Sequence, residues 1–343
     1  MIVLGIESSC DETAIAIVKD GRQVVCNLIA GQSDLLAQYG GVYPEQACRR
    51  HVDQIIPLLD RALATISEPI DLIAVAHGPG LMGPLVIGLN VAKGLSIGWN
   101  KPFIGINHVE AHLYAALMEQ EEWLFPALGV VISGGHTLLL KILDVGHYEL
   151  IGSTVDDAIG ECFDKVARTL GLGYPGGPEI EKLAKNGNPH RYPFKSGVVR
   201  GKPWDFSFSG LKTSVLYTVK GVSANKHSQT IISEADKADV AASFQRAAFE
   251  HLIEKSQLAA ETFGCRAIYL GGGVSSSRTL RSLFQEKARN LPIFWPSFAL
   301  SQDNAAMIAG LGYHVYKKRG TGDTLNLEPK ARIPLGHHTP TTT

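Results

Sequence analysis

The sequence predicts an α/β protein of two domains, and three observations lead to that prediction. At 343 residues the chain exceeds the length of one typical domain. Strand-like and helix-like patterns both occur, and the hydrophobic share of 45% is enough for two cores. A strand, a small polar turn and a returning strand open both halves, which suggests duplicated lobes.

Apolar periodicity gives the elements of the first half. The amphipathic pattern of the first predicted helix places Val52, Ile55, Ile56 and Leu59 on one face. Asn107 is suited to cap the last helix of this half. In chain order, strands are predicted at residues 1–6, 13–18 and 23–28, a helix at 44–59, a strand at 72–76, a helix at 85–97, a strand at 103–106 and a helix at 108–119.

The second half restarts after a charged break at residues 119–123. Its predicted elements are strands at 127–132 and 138–143, a helix at 156–170, a helix at 237–263, a strand at 267–270 and helices at 277–287 and 303–318. We expect the first lobe to span residues 1–122, joined by the helix 303–319, and the second lobe to span 123–302. Residues 320–343 read as a C-terminal tail whose last five residues are disordered.

Composition narrows the classes of function. The net charge of −1 excludes a strongly basic nucleic-acid coat but leaves room for a local basic groove. The five cysteines are scattered, so a disulfide framework or a structural zinc site is not expected. No signal peptide and no long apolar run for a membrane span are seen. We therefore expect a cytoplasmic protein.

Three glycine-rich turns each follow a predicted strand, at residues 78–83, 133–136 and 271–273. Glycine lets the backbone approach an anion closely, and successive N–H groups can hold one. A single turn of this kind is often only a tight turn, but three at the ends of strands favour a nucleotide or phosphate site. None has P-loop or Rossmann spacing, so neither of those sites is predicted.

The run from His108 to His112 carries two histidines one helical turn apart, which can share a metal ion. Glu110 points to nearly the opposite side of the helix, unlike the glutamate of H-E-x-x-H proteases. Asp303 is a candidate third ligand. The alternatives are that the histidines serve packing and that Asp303 only caps the last helix.

Acidic side chains and one polar loop could also carry chemistry. Residues 207–212 form a loop ending in Lys212, which could bind phosphate or lie on the surface. Most of the carboxylates are interpreted as a solvated face. They are Glu7, Asp11 and Glu12 around the first hairpin and Asp156, Asp157, Glu161 and Asp164 along one predicted helix.

Taken together, the motifs resemble those of the TsaD family, the tRNA N6-adenosine threonylcarbamoyltransferases. The likeness is collinear to about residue 335. The motifs that carry it are GIESSCDET at 5–13, GPGL at 78–81, NHVEAH at 107–112, SGGHT at 133–137, FDK at 163–165, YPGGP at 174–178 and DNAAMIA at 303–309.

The resemblance implies the ASKHA fold, two RNase H-like lobes around a central cleft. It also implies that His108, His112 and Asp303 bind one divalent metal ion, Fe²⁺ or Zn²⁺. Residues implied to hold the threonylcarbamoyl-adenylate are Ile132, Ser133, Gly134, Gly135, His136, Asp164, Gly177 and Glu181. Ser277 stands where the family usually has asparagine, and its shorter side chain puts one nucleotide contact in doubt.

The implied reaction moves the threonylcarbamoyl group to N6 of the adenosine immediately 3′ of the anticodon, in tRNAs that read codons beginning with A, and releases AMP. Asp11 or Glu12 is nominated as the base. Implied partners are tRNA, a degenerate paralogue (TsaB-like) and a small ATPase (TsaE-like), with no membrane. The alternatives left open are a small-molecule kinase of the same fold, a metalloprotease and a non-catalytic nucleotide-binding subunit.

Overall fold

The computed structural model describes residues 1–32, 43–222, 228–287, 291–333 and 335. The chain divides into two compact units. The first unit comprises Met1–Trp123, Ile142–Glu149 and Phe294–Thr343, and the second comprises Leu124–Lys141 and Leu150–Ile293. None of the described helices is long and apolar enough to cross a membrane.

Three consecutive strands open each half of the chain, and helices and further strands follow. The strands are β1 (Ile2–Glu7), β2 (Thr13–Lys19), β3 (Gln23–Ala30), β4 (Leu72–Gly78), β5 (Phe103–Asn107), β6 (Ala127–Ile132), β7 (Thr137–Asp144), β8 (His147–Ser153), β9 (Gly197–Val198), β10 (Phe206–Ser207), β11 (Ile268–Gly271) and β12 (Ile293–Phe294). The helices are α1 (Pro44–Leu63), α2 (Met82–Trp99), α3 (His108–Met118), α4 (Ile159–Leu170), α5 (Gly176–Ala184), α6 (Ser209–Lys220), α7 (Glu234–Thr262), α8 (Arg278–Lys287), α9 (Phe298–Ser301) and α10 (Ala305–Arg319).

Two five-stranded sheets repeat one strand order. The first sheet runs β3-β2-β1-β4-β5, and the second, taken from its far edge, runs β8-β7-β6-β11-β12. In the first sheet β1 pairs antiparallel with β2 and parallel with β4. In the second, β11 pairs parallel with β6. This repetition is the structural counterpart of the duplicated strand–turn–strand pattern in the sequence.

The core of the first unit is aliphatic, because its central strands are covered on both faces. Every residue of β1 is buried, including Leu4 and Ile6 in the main apolar cluster. Helix α10 packs against β1 at Gly5, where a Cβ would collide with the Ala305 carbonyl and the Ala309 side chain. The close approach therefore requires glycine at this position, and it fixes the start of α10.

Helix α1 buries a face different from the predicted one. Ile55, Leu58 and Leu59 are buried, whereas Val52 and Ile56 are 59% and 49% exposed. The helical period was sufficient to predict a helix, but the direction of the sheet decides which side of it is covered.

The stretch after α10 is packed rather than free. Leu327 is buried in the core of the first unit. Asp323 accepts a hydrogen bond from the Gly105 amide, and the Lys330 amide donates to the His77 carbonyl. The predicted disorder of residues 339–343 falls outside the described residues.

Candidate functional site

Helix α3 presents its two histidines because of how it begins. The chain leaves β5 at Asn107, whose side-chain oxygen accepts hydrogen bonds from the Val109 and Glu110 amides. This confirms Asn107 as the predicted cap. His108 and His112 then lie one turn apart, both buried, with ring centroids 4.6 Å from each other.

Asp303 completes a cluster of three side chains. One ligand atom from each of His108, His112 and Asp303 lies within 4.8 Å of the others. Asp303 Oδ1 is 3.1 Å from His112 Nε2 and 3.6 Å from His108 Nε2. Asp303 does not cap the last helix. That role belongs to Asn304, whose side chain accepts from the Met307 amide, and so the Asp303 carboxylate turns toward the histidines.

Residues at the end of β1 orient the His108 ring by contacting its Nδ1 atom. Glu7 Oε2 lies 2.8 Å from His108 Nδ1, and Ser9 Oγ lies 3.1 Å from the same nitrogen. A carboxylate at Nδ1 favours the tautomer that carries its proton there, so a neutral His108 can offer its Nε2 lone pair to a ligand. Burial lowers the pKa of His108, but Glu7 and Asp303 outweigh it and raise that pKa to about 9.

The cluster suits a bound cation. Nδ1 of His112 has no hydrogen-bond partner among the described residues, although the residue is 1% exposed, and Nε2 faces the Asp303 carboxylate. Buried polar atoms are normally satisfied, so this imidazole fits a site that a ligand completes. Two imidazoles and one carboxylate are the donor set of Zn²⁺ and non-haem Fe²⁺ centres. Glu110 is buried but does not belong to the cluster.

The loop that follows β1 lies beside this cluster and is held by a third histidine. Buried His51 of α1 has Nδ1 2.7 Å from Thr13 Oγ1 and Nε2 3.1 Å from the Cys10 carbonyl. Both ends of the loop that carries Asp11 and Glu12 are thereby fixed. Burial, together with the charges of Asp303 and Asp11, raises the pKa of Glu12 to about 10.

In the second unit, the turn after β6 is closed by its own hydrogen bonds. The Ser133 amide donates to the His136 carbonyl (2.9 Å), and the His136 amide donates to Ser133 Oγ (3.1 Å). Gly134 and Gly135 at its tip are exposed, with open space where a Cβ would lie. The tip is therefore free for a ligand to approach the backbone.

Two glycines bring other elements against this turn. The Gly160 amide, at the start of α4, donates to the Ser133 carbonyl. Gly272 has a φ of +92°, and a Cβ there would collide with the Ile132 carbonyl. Two of the three predicted glycine-rich turns, 133–136 and 271–273, therefore meet at the ends of adjacent strands.

Asp164 and Gly177 lie where α4 approaches the start of α5. Asp164 Oδ1 accepts a hydrogen bond from the Gly176 amide at 2.8 Å. A Cβ on Gly176 would collide with the backbone of Phe163 and Asp164, whereas Gly177 has open space around it. Gly176 is thus required for packing, and Gly177 leaves room at the N-terminus of α5.

Glu181 and Ser277 contact each other directly. Glu181 Oε1 accepts from Ser277 Oγ (3.0 Å) and from the Thr279 amide (2.7 Å). Ser277 Oγ accepts in turn from the Leu280 amide at 3.2 Å. The serine that replaces the family's asparagine therefore caps α8 and is held by a glutamate from α5.

Several carboxylates interpreted as a solvated face have specific partners. Asp156 accepts hydrogen bonds from Ser207 Oγ and Ser209 Oγ. Asp157 forms ion pairs with Lys165 and Lys212, each at 2.6 Å. Since α4 begins at Ile159, Asp156 and Asp157 precede the helix predicted to contain them. Lys212 lies in the first turn of α6, and its ammonium group is bound to Asp157.

Sequence reasoning also missed the supporting side chains of the metal-type cluster. Glu7 was grouped with the solvated carboxylates, but it is fully buried. The signal available in the sequence was its place as the last residue of an otherwise wholly apolar strand. Ser9 and His51 gave no comparable signal, because their partners lie far away along the chain.

Comparisons with known proteins agree over nearly the whole chain. The model of the family described as "TsaD: tRNA N6-adenosine threonylcarbamoyltransferase" matches residues 23–310. A protein of that name from Protochlamydia amoebophila is 57% identical over 339 residues, 98% of each chain. The protein of that name from Chlamydia felis is 49% identical over 97% of this chain and 96% of its own. The one from Symbiobacterium thermophilum is 46% identical over 98% and 97%.

Solved structures with a similar backbone are more distant in sequence. The HypF protein of T. kodakarensis matches 92% of this chain with a TM-score of 0.63 at 15% identity. This chain spans about half of it, 48%. A ROK family protein from Streptococcus pneumoniae, solved with sucrose, matches 93% of this chain with a TM-score of 0.51 at 14% identity. These likenesses show the fold alone, and they confirm the predicted ASKHA architecture.

Proposed function

The chain belongs to the TsaD family of tRNA N6-adenosine threonylcarbamoyltransferases, and from that premise we propose how its own residues carry the reaction. The threonylcarbamoyl group moves from threonylcarbamoyl-adenylate to N6 of the adenosine immediately 3′ of the anticodon, and AMP departs. The acceptor tRNAs are those that read codons beginning with A. An anticodon-loop base is suited to this role because it can be unstacked and presented to a pocket.

One observation carries the assignment of the reacting centre. His108 and His112 from α3 meet Asp303 from the segment before α10, within 4.8 Å. Such a donor set, with two buried imidazoles and a carboxylate from a distant part of the chain, is typical of a metal centre rather than of a packing contact. These three residues would hold one divalent ion, Fe²⁺ or Zn²⁺. When bound, that ion supplies Lewis-acid chemistry toward a carbamoyl or phosphate oxygen.

The residues around the centre act by positioning. Glu7 and Ser9 hold His108 Nδ1 and so keep Nε2 directed into the cluster. His51 fixes the loop that carries Asp11 and Glu12, which are the candidates to accept the proton that leaves the attacking amine.

The adenylate would be held by the second unit. Backbone groups of the turn formed by Ser133, Gly134, Gly135 and His136 offer hydrogen bonds to a developing negative charge, as oxyanion holes do. The open N-terminus of α5 at Gly177 and the pair formed by Glu181 and Ser277 are the proposed contacts to the nucleotide. Ile132 supports these contacts through its backbone carbonyl, which lies against Gly272, and Asp164 supports them through its carboxylate, which accepts from the Gly176 amide.

Partner subunits complete the proposal. Val52 and Ile56 leave an apolar stripe on α1, and Val86 of the adjacent α2 is 39% exposed. Exposed apolar side chains on neighbouring helices suit a second protein subunit. We assign this face to the degenerate TsaB-like paralogue, add a small TsaE-like ATPase on the strength of the family resemblance, and place the assembly in the cytoplasm.

The alternatives have no specific observation in their favour. A small-molecule kinase would share the fold, but oxygen ligands rather than two imidazoles suit its Mg²⁺. A metalloprotease would need a glutamate beside the metal, and Glu110 is not part of the cluster. A non-catalytic subunit would have no use for the three ligands.

The test is direct. Full-length protein, the proposed partners, threonylcarbamoyl-adenylate and an unmodified tRNA transcript are incubated, and the digested tRNA is analysed by mass spectrometry for threonylcarbamoyl-adenosine. We expect product with the wild-type chain and its loss with His108→Ala and with His112→Ala. Absence of product from a properly assembled complex, with ATP-dependent phosphorylation of a small acceptor instead, would move the assignment to a kinase.

A further inference from the structure

One segment of the second unit departs sharply from the neutral composition of the chain. Residues 182–202 contain six of the 32 Lys and Arg residues and none of the 33 Asp and Glu residues. The rest of the chain is therefore acidic overall. The six cations, which define what we call the basic ridge, are Lys182, Lys185, Arg191, Lys195, Arg200 and Lys202.

All six side chains of the basic ridge are exposed. In the part of the chain that the structure describes, Lys202 is the one member with a carboxylate within ion-pair distance, 3.4 Å from Asp205. Elsewhere in the same unit, Lys165, Lys212 and Arg246 are each paired with a carboxylate. Apart from Lys202, the cations of the ridge have no carboxylate within ion-pair distance among the described residues, which leaves their charge available to an external anion.

The backbone beneath the ridge is held in place. The Asn188 amide donates to Asp239, the Tyr192 amide to Ser243 Oγ, and Ser196 Oγ to the Ala247 carbonyl. The acceptors recur every four residues along α7, so this part of the segment follows one face of that helix. Arg191 and Lys195 lie between these attachments. Their side chains therefore extend from a backbone that is hydrogen-bonded to α7.

An aromatic pair lies within the same segment. Tyr192 stacks on buried Phe194 with ring centroids 5.6 Å apart and an interplanar angle of 15°. Aromatic rings set among cations are a recurrent feature of surfaces that bind RNA, where phosphates meet the cations and unstacked bases meet the rings.

We propose that the basic ridge binds the phosphate backbone of the RNA substrate. The inference rests on the proposed function for the identity of that polyanion. It assigns to a defined surface of this chain the electrostatic contribution that the overall charge of −1 does not reveal. Contacts of this kind position the nucleic acid without reading its sequence.

Two triple variants with the same change in charge provide the test. The first, Arg191→Gln/Lys195→Gln/Arg200→Gln, removes three cations of the ridge. The control, Arg61→Gln/Lys317→Gln/Lys330→Gln, removes three exposed cations of the first unit. Full-length chain with the proposed partners is titrated with an unmodified tRNA transcript at several salt concentrations, and transfer is measured at saturating tRNA.

We expect the ridge variant to bind tRNA at least about tenfold more weakly, with the slope of log K against log salt reduced by roughly two to three. At saturating tRNA its kcat should match that of the wild type, and the control should resemble the wild type throughout. Equal tRNA binding by both triple variants would overturn the proposal. So would loss of a partner subunit from the ridge variant with tRNA affinity retained, because the ridge would then be a protein-docking surface.

The outcomes separate this proposal from the proposed function. If the wild-type complex binds tRNA through the ridge but forms no threonylcarbamoyl-adenosine, the result supports the tRNA-binding surface and contradicts the proposed activity. If the wild-type complex forms product and the ridge variant binds tRNA normally, the result supports the proposed activity and contradicts the tRNA-binding surface.

Discussion

The carboxylate of Glu7 lies 2.8 Å from Nδ1 of His108, on a side chain that is fully buried. The other oxygen of the same carboxylate accepts from the Ser9 amide, so both oxygens are engaged. A carboxylate at the outer nitrogen of a histidine fixes the ring and increases its basicity toward a ligand on the inner nitrogen. The last residue of β1 therefore acts on the metal-type cluster without being one of its three ligands.

Replacing Glu7 with Gln should weaken metal binding while the three ligands remain. The amide keeps the shape of the side chain but removes the charge that favours the required tautomer. We expect roughly 10- to 100-fold lower affinity for Zn²⁺, measured by competition with a chelator of known affinity. Glu68→Gln, which changes an exposed carboxylate paired with Lys19, is the matched control. Unchanged affinity in a folded Glu7→Gln protein would show that the contact is only structural.

Metal ions should stabilise the wild-type chain against unfolding and fail to stabilise Asp303→Ala. A ligand present at about 1,000 times its Kd adds about 4 kcal/mol to the free energy of unfolding if it binds only the folded state. Urea unfolding of chelator-treated protein, with and without added Zn²⁺, measures this difference. Asp60→Ala, an exposed change on α1, should respond to Zn²⁺ like the wild type. An equal response from Asp303→Ala would remove this residue from the ligand set.

Ser277→Asn should strengthen nucleotide binding. Asparagine can still cap α8, and its longer amide restores the donor and acceptor that the family usually carries at this position. We expect affinity for a non-reactive adenylate analogue to rise by about tenfold, the equivalent of one additional hydrogen bond. Isothermal titration calorimetry provides the measurement. Unaltered affinity would mean that the pair formed by Glu181 and Ser277 already makes the hydrogen bond to the nucleotide that asparagine would add.

His314 should contribute a loss of stability as the pH drops below about 6.5. Burial, and to a lesser degree the charge of Arg22, lowers the pKa of His314 to about 4. Between these two pH values the unfolded chain binds a proton that the folded chain does not, so folding is disfavoured. His314→Gln should flatten the dependence by less than about 1.4 kcal/mol per pH unit, since partial exposure screens the penalty.

Urea unfolding at about pH 7.5, 5.5 and 4.5 measures how the free energy of unfolding changes across the interval between the unfolded and folded pKa values of His314. The exposed His190→Gln serves as the control and should leave the slope unchanged. A His314→Gln protein whose stability depends on pH as steeply as that of the wild type would show that His314 is protonated in the folded chain. His251, whose pKa burial also lowers to about 4, contributes in the same direction in all three proteins.

Charged residues on the exposed stripe of α1 should block assembly without unfolding the chain. Val52→Asp/Ile56→Asp alters two side chains that are half exposed, so the free energy of unfolding should change by only about 0.5 kcal/mol. Association with the TsaB-like subunit should weaken by at least about tenfold, because a carboxylate would be buried without a partner. Leu150→Asp/Val155→Asp, at 60% and 51% exposure in the second unit, is the control for size-exclusion binding. Normal association of the α1 variant would place the partner elsewhere.

How far the sequence predicts this molecule depends on whether the relevant interaction is local. The histidines at one-turn spacing and the Asn107 cap are properties of a few consecutive residues, so they could be predicted. The face of α1 that is buried could not be predicted from the sequence. Ile55 and Ile56 are equally apolar, and only the position of the sheet determines that Ile55 is buried and Ile56 exposed. Periodicity identifies a helix but does not identify the surface against which it packs.

Interactions between distant segments were the main source of error. The apolar strand that ends at Glu7 predicts that this residue is buried, but it does not predict the contact with His108, which α3 brings to the end of β1. Asp157 is predicted to lie on one helix with Glu161 and Asp164, but the helix begins two residues later and Asp157 forms ion pairs with two lysines. In both cases the carboxylate interacts with a residue that only the folded chain brings close to it.

The position of Asp303 has a consequence for how the protein is made. Its two partner ligands are synthesised early, but the carboxylate leaves the ribosome only after the whole of the second unit has been translated. An incomplete nascent chain therefore carries only the two histidines of the cluster. Under the proposed function, full-affinity metal uptake would require the finished polypeptide, so truncated products would not compete for the ion.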